Sequence, residues 1–135
     1  MEDSEALAVF QELDRRGLLT LRVVFNPPGE VLDALVSLGL EGGFGGPNLR
    51  LGAVKIFADG TLGSRTAHML EPYEGGDGRG VPAMAEGELE AVVKKASGAG
   101  FPVAIHAIGD AANRSVLDAL EASGAPSRVR RLRHR

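Results

Sequence analysis

Lys55 stands inside an apolar run, Leu51-Gly52-Ala53-Val54-Lys55-Ile56-Phe57. A charged ammonium in such a run is costly unless it is paired or neutralised. Desolvation lowers a lysine pKa, and the neutral amine can then take up CO2 to form a carbamate. The carbamate is an anion that behaves like a carboxylate and can bridge two metal ions. The plainer reading is a strand-end lysine whose stem is covered while its head reaches solvent. His106 closes a second apolar run, two residues before Ile108-Gly109-Asp110. An imidazole at a strand end beside a turn suits a metal ligand or a general base, and also a structural histidine. Three further residues carry weaker chemistry. Asp59 reads as a turn residue able to orient Lys55 or a substrate. Asp110 reads as a helix cap or a support for substrate. Arg65 can take an anionic substrate group in a bidentate grip or close a salt bridge. His68, in the long loop, reads as a surface residue.

Composition limits what these residues can serve. The chain has 135 residues, 44% of them hydrophobic, enough for one globular domain over 1–135. A net charge of -3 speaks against a general nucleic-acid or membrane-surface role. Without cysteine there is no disulfide framework and no thiolate site. A bound metal must therefore use histidine, carboxylate or modified lysine. No apolar run reaches the roughly 18 residues of a membrane span, and the acidic start MEDSEAL lacks a signal-peptide pattern. A cytoplasmic protein is the default expectation.

The elements that must position the chemistry follow from periodicity. Ser4 is placed to cap a helix over Glu5–Arg16, closed by Gly17. Leu18 to Phe25 reads as a buried strand, broken by Asn26-Pro27-Pro28-Gly29. A second amphipathic helix begins near Val31 and ends before Gly39. Gly42 to Asn48 reads as a flexible loop; it has no G-x-G-x-x-G order and follows no strand, so it is no dinucleotide site. A strand over Leu51–Phe57 leads into a long connection, Asp59 to Ala85, of a length typical of functional loops. A helix over Glu86–Ser97, a strand over Phe101–Ala107 and a last helix ending near Gly124 complete the pattern. The tail from Arg128 holds five arginines in eight residues. On this acidic chain it reads as a solvated segment.

Helices alternating with apolar strands imply an α/β protein with a parallel sheet and right-handed crossovers. Pattern alone fits both a doubly wound sheet and part of a (β/α)₈ barrel, since a whole barrel needs about 250 residues. A flavodoxin-like nucleotide binder would need a phosphate loop after the first strand, and Asn26-Pro27-Pro28-Gly29 does not supply one.

Three segments resemble a known family. VKIFADGTLGSRTA (Val54 to Ala67), LEPY (Leu70 to Tyr73) and VAIHAIGDAAN (Val103 to Asn113) are similar to amidohydrolase family 3. This family lies within the metal-dependent amidohydrolases and includes N-substituted formamide deformylase-like enzymes. LTLRVVF and the final LRHR look like the same family's flanks. The resemblance covers nearly the whole chain. It implies a partial TIM-like (β/α)₈ barrel, roughly strands three to five, with parallel strands alternating with helices. It implies a divalent metal, zinc, with one or two ions in the intact family. Lys55 matches the family's fourth-strand lysine, often carbamylated, and His106 its fifth-strand metal-binding histidine. The family's first-strand H-x-H pair, its sixth-strand ligand and its late catalytic aspartate have no counterpart here.

The resemblance therefore implies a middle slice of a hydrolase of non-peptide C–N bonds, amide or N-formyl, inactive by itself. A small-molecule amide would be the substrate of the intact enzyme. The alternative is a non-catalytic α/β interaction or structural module. A three-stranded slice has two raw edges and an inner face lacking its opposite wall, with Val24, Val54 and Ile105 expected there. Self-association, or pairing with the missing barrel half, is the expected remedy.

Overall fold

The structure, a computed structural model, describes residues 4–85 and 87–124. The side chain of Ser4, the expected helix start at Glu86 and the arginine tail from Arg128 lie outside the described residues. The elements run α1 (Ser4–Arg15), β1 (Val23–Phe25), a 3-10 turn (Gly29–Val31), α2 (Leu32–Ser37), β2 (Leu49–Leu51), β3 (Val54–Phe57), α3 (Glu88–Gly98), β4 (Val103–His106) and α4 (Asp110–Ala122).

All strand pairing among the named strands is parallel. β1 lies beside β2 with Val23 opposite Leu49 and Phe25 opposite Leu51. β3 lies beside β4 with Val54 opposite Val103 and Phe57 opposite His106. A parallel bridge from Pro28 to Lys55 ties the two pairs together. The expected strand Leu51–Phe57 is thus half of a longer line, 49–57, that runs alongside 23–28. It is interrupted because three steps from Phe25 to Pro28 match four from Leu51 to Lys55, which is a β-bulge. Every backbone N–H from Gly52 to Lys55 is hydrogen-bonded. Gly52 N–H donates to Phe25 O at 2.7 Å and Lys55 N–H to Pro27 O at 2.8 Å. Ala53 N–H, left over between them, donates to Asn26 Oδ1 at 2.9 Å.

Two expected elements are shorter or firmer than the sequence suggests. The strand expected over Leu18–Phe25 begins only at Val23, because Leu18 and Leu19 close α1 instead. Their N–H groups both reach Leu13 O, at 2.8 and 3.2 Å, satisfying a carbonyl the helix end leaves free. The segment Gly42–Asn48 is no flexible loop. It folds back on β2 through Gly43 N–H to Leu51 O and Leu51 N–H to Phe44 O, both 2.8 Å, with Gly45 bridged antiparallel to Arg50.

One face of the strands packs on the helices. Val54 and Ile56 of β3, Leu89, Val93 and Ala96 of α3, and Ala112 and Ala119 of α4 share one core with Phe25, Leu32 and Phe101. Ile105 packs against this core. The expectation that Val24, Val54 and Ile105 line one open face is therefore corrected. Val54 is fully buried on the helix side and Ile105 joins it, whereas Val24 is 47% exposed on the other face. The pleat is the cause: residues on alternate positions point to opposite faces.

Candidate metal centre

The face turned away from the helices carries the chemistry. The β3–β4 register sets Lys55 opposite Ala104 and Phe57 opposite His106. With period-two alternation, all four side chains share that face. Both candidates contact the Phe57 ring. Its centroid is 5.3 Å from that of His106, tilted by 44°, and Lys55 Nζ sits 4.4 Å above it. The ring's negative face stabilises the ammonium. Lys55 is half-buried, not fully desolvated as the apolar run suggests.

His106 is held by a backbone group. Its Nε2 is 2.9 Å from Gly60 O. A carbonyl oxygen only accepts, so Nε2 donates, and a neutral ring then has its lone pair on Nδ1. Gly60 lies near the start of the connection after β3 and is followed by a knot of hydroxyls. Thr61 Oγ1 and Ser64 Oγ are 2.9 Å apart, Ser64 Oγ and Thr66 Oγ1 2.6 Å, and Thr61 N–H donates to Thr66 Oγ1 at 3.0 Å.

Asp59 is the buried anion of the site, with its side chain wholly covered. It accepts from three backbone N–H groups: Ile108 at 2.9 Å on Oδ1, and Gly109 at 2.7 Å and His68 at 2.8 Å on Oδ2. Burial pushes its carboxyl pKa up. The three donors and the nearby His106, 3.9 Å from Oδ1, more than offset this, and the net shift is downward. Asp59 is thus no simple turn residue. It stitches the long connection to the β4–α4 turn.

The same turn is reinforced from other directions. Asp110 Oδ1 accepts from Leu70 N–H at 2.7 Å and Ala111 N–H at 2.8 Å. The N-cap position of α4 belongs to Gly109, so Asp110 is a first-turn residue that pins the loop and not the cap the sequence suggested. Asn113 Nδ2 donates to Gly109 O at 2.8 Å. His68 O accepts from Ala112 N–H at 3.2 Å. A Cβ on Gly109 would collide with the His68 carbonyl, so glycine is what lets the two segments touch. His68 is half-buried and structural through its backbone, where the sequence suggested a surface position.

Arg65 is exposed, at the rim of the same loop, and adopts φ 53°, the left-handed region that non-glycine residues avoid. Among the described residues it has no ion-pair partner. The structure therefore brings Lys55, Asp59 and His106 together around Phe57 and the Gly60 carbonyl. Asp110 stands behind them as a loop anchor, and Arg65 stands apart. Phe57 and Gly60 escaped the sequence reading; the alternation placing Phe57 on the face of Lys55 was the available signal.

Were Lys55 carbamylated, its anionic oxygen and a neutral imidazole nitrogen of His106 would be donors of the kind that suit zinc and similar divalent ions. Among the described residues no three His, Asp or Glu side chains converge on one point. The two donors would make up only part of a metal shell.

Parallel strands alternating with helices, with His106 at the C-terminal end of β4 and Asp59 just beyond the end of β3, define part of a TIM-like α/β barrel. The chain belongs to the amidohydrolase family, whose model matches residues 2–135. It is 47% identical over 77 residues to YtcJ of Bacillus subtilis (strain 168), a stretch covering 56% of this chain and 15% of that protein. It also matches the crystal structure of an uncharacterized metal-dependent hydrolase from Pyrococcus furiosus, with TM-score 0.81 and 40% identity over 90% of this chain. A second such hydrolase, from Pyrococcus horikoshii OT3, matches with TM-score 0.82 and 41% identity over 91% of this chain. The chain spans 26% of each of those solved chains. No helix among the described residues is long and apolar enough to cross a membrane.

Proposed function

We propose that this chain supplies part of the metal centre of a hydrolase that cleaves non-peptide C–N bonds, in amides or N-formyl groups. The observation that carries the reading is that Lys55, within β3, and His106, at the end of the paired parallel strand β4, lie on one face. A divalent ion such as zinc, when bound, would polarise the carbonyl and lower the pKa of a water. Lys55, as its carbamate, and His106 are the residues that would hold it. The Gly60 carbonyl fixes the ring of His106, and Asp59 fixes the loop that carries Gly60. Arg65, which has no ion-pair partner among the described residues, offers its guanidinium at the rim to an anionic group of the substrate.

A catalytic zinc takes about three protein ligands and an open position. Two are available among the described residues, so turnover belongs to the longer barrel and this chain by itself is a metal-binding half-site. Metal retention tests the reading directly. The 135-residue chain, dialysed against Zn²⁺ in bicarbonate buffer, should retain the ion. His106→Ala and Lys55→Ala should each weaken retention by more than about tenfold. Equal retention by all three proteins would favour a non-catalytic α/β module.

A further inference from the structure

We infer that Asp59 is a positioning residue that sets the tautomer of His106 through the Gly60 carbonyl and so selects Nδ1 as the nitrogen presented to a ligand. The inference rests on the reading of His106 as a metal ligand only for its last step. The geometry stands without it. Asp59 precedes Gly60, and its carboxylate is fixed by the Ile108, Gly109 and His68 N–H groups, two from one distant segment and one from nearby in sequence. A fully buried side chain held at three points leaves the 59–60 peptide little freedom. The Gly60 carbonyl is then aimed at His106 Nε2, 2.9 Å away. From the other side, Thr66 crowds Gly60 so closely that a Cβ there would collide with its hydroxyl. Gly60 N–H also donates to Thr66 O at 3.3 Å.

A ring locked as the Nε2–H tautomer has one available lone pair, on Nδ1. A hydrogen bond from the other ring nitrogen to a backbone carbonyl is also the usual way a ligating histidine is oriented. The Asp59 carboxylate itself is too far from Nε2, at 3.9 Å, to be that acceptor. It acts through Gly60.

The tautomer can be read by nitrogen-15 NMR of the ring in the metal-free 135-residue chain at about pH 8, above the ordinary histidine pKa of about 6.5. The wild type should show His106 as the Nε2–H form in large excess. Asp59→Asn faces one N–H donor with an amide NH₂, loosens the 59–60 peptide, and should give a mixture of tautomers. Asn113→Ala weakens the same turn without touching Asp59; it should lower thermal stability and leave the tautomer unchanged. If Asp59→Asn does not fold, Gly60→Ala displaces the carbonyl while keeping Asp59 and should produce the same mixture. A predominant Nδ1–H form in the wild type would overturn the inference, as would an unchanged tautomer in whichever of these two variants folds. Adding Zn²⁺ then separates the two proposals. Perturbation of Nδ1 supports both, perturbation of Nε2 overturns the positioning role alone, and no perturbation of either nitrogen removes the metal reading while leaving the tautomer result standing.

Discussion

Asn26 reaches across the bulge to Ala53, its Oδ1 accepting the one backbone N–H that the extra residue leaves unpaired, at 2.9 Å. This bond allows the line 49–57 to change register between β2 and β3 without an orphaned donor. Lys55 therefore keeps its place beside Pro28 and faces away from the helices. A Cβ on Gly52 would run into Asn26 Oδ1 and Val24 Cγ1. Gly52→Ala is expected to destabilise the chain by about 2 kcal/mol or more, from overpacking together with the lost bond. Asn26→Ala, which only orphans the N–H, should cost about 1–3 kcal/mol. Urea unfolding followed by circular dichroism measures both, and a Gly52→Ala protein as stable as wild type would show that the bulge is not rigid.

The acid response of the fold should carry the signature of Asp59. Its pKa lies below the ordinary 3.8 in the folded chain. The folded state thus favours the anion. That stabilisation is fully present above the ordinary value and is lost as pH falls through the lowered folded value. Asp59→Asn should be destabilised by about 2–4 kcal/mol at neutral pH, the scale of hydrogen bonds to a charged group. The gap to wild type should narrow steadily below about pH 4. Unfolding free energies from neutral pH down to acid would check this, and a gap independent of pH would assign the effect to packing alone.

The helices and the alternation of the strands were legible in the sequence because both depend on near neighbours. Lys55 and His106 emerged as candidates for the same reason: each sits at a definite position in an apolar run, and the pleat carries both to one face. What escaped was set by distant partners. The three donors to Asp59 stand 9, 49 and 50 residues away, so its role as a clamp had no local trace and it looked like a turn residue. Asp110 misled for a related reason: its carboxylate bonds Leu70, 40 residues back, while Gly109 takes the cap position. The run Leu18 to Arg22 looked like a strand because apolar residues that seal a helix end and those that enter a sheet are alike in composition.

Arg65 should show stability and binding moving apart. A non-glycine residue in the left-handed region costs about 1–2 kcal/mol, and here the hydroxyls of Thr61, Ser64 and Thr66 hold the loop that imposes it. Arg65→Gly relieves the strain and should leave the melting temperature unchanged or higher. If the guanidinium meets an anionic substrate group, the same change should weaken binding of a carboxylate-bearing amide, with Arg65→Lys recovering part of it. A drop in melting temperature for Arg65→Gly would mean that Arg65 makes a structural contact instead.

Assembly is the last expectation. Among the described residues β1 and β4 each have one strand neighbour, so each leaves a row of backbone groups free on its far side. The face that carries Lys55 and His106 also exposes Phe57 at 43% and Val24 at 47%, and Ile108 beyond the end of β4 is 44% exposed. The helix side is already occupied by the core, so any partner for these groups must come to the open face or to the edges. An apolar face of that kind marks an interface or an aggregation hazard. The 14.1 kDa chain is therefore expected to sediment as a dimer or larger at tens of micromolar. Val24→Lys, which places a charge on the open face without touching the helix-side core, should shift the distribution toward monomer with little loss of melting temperature. The bulge offers a control: Asn26→Ala should lower stability and leave the open-face side chains in place, so association per folded molecule should hardly change. A wild-type chain that sediments as a single monomeric species with a sharp cooperative melt would show that Phe57, Val24 and the strand edges are sheltered within the chain's own fold.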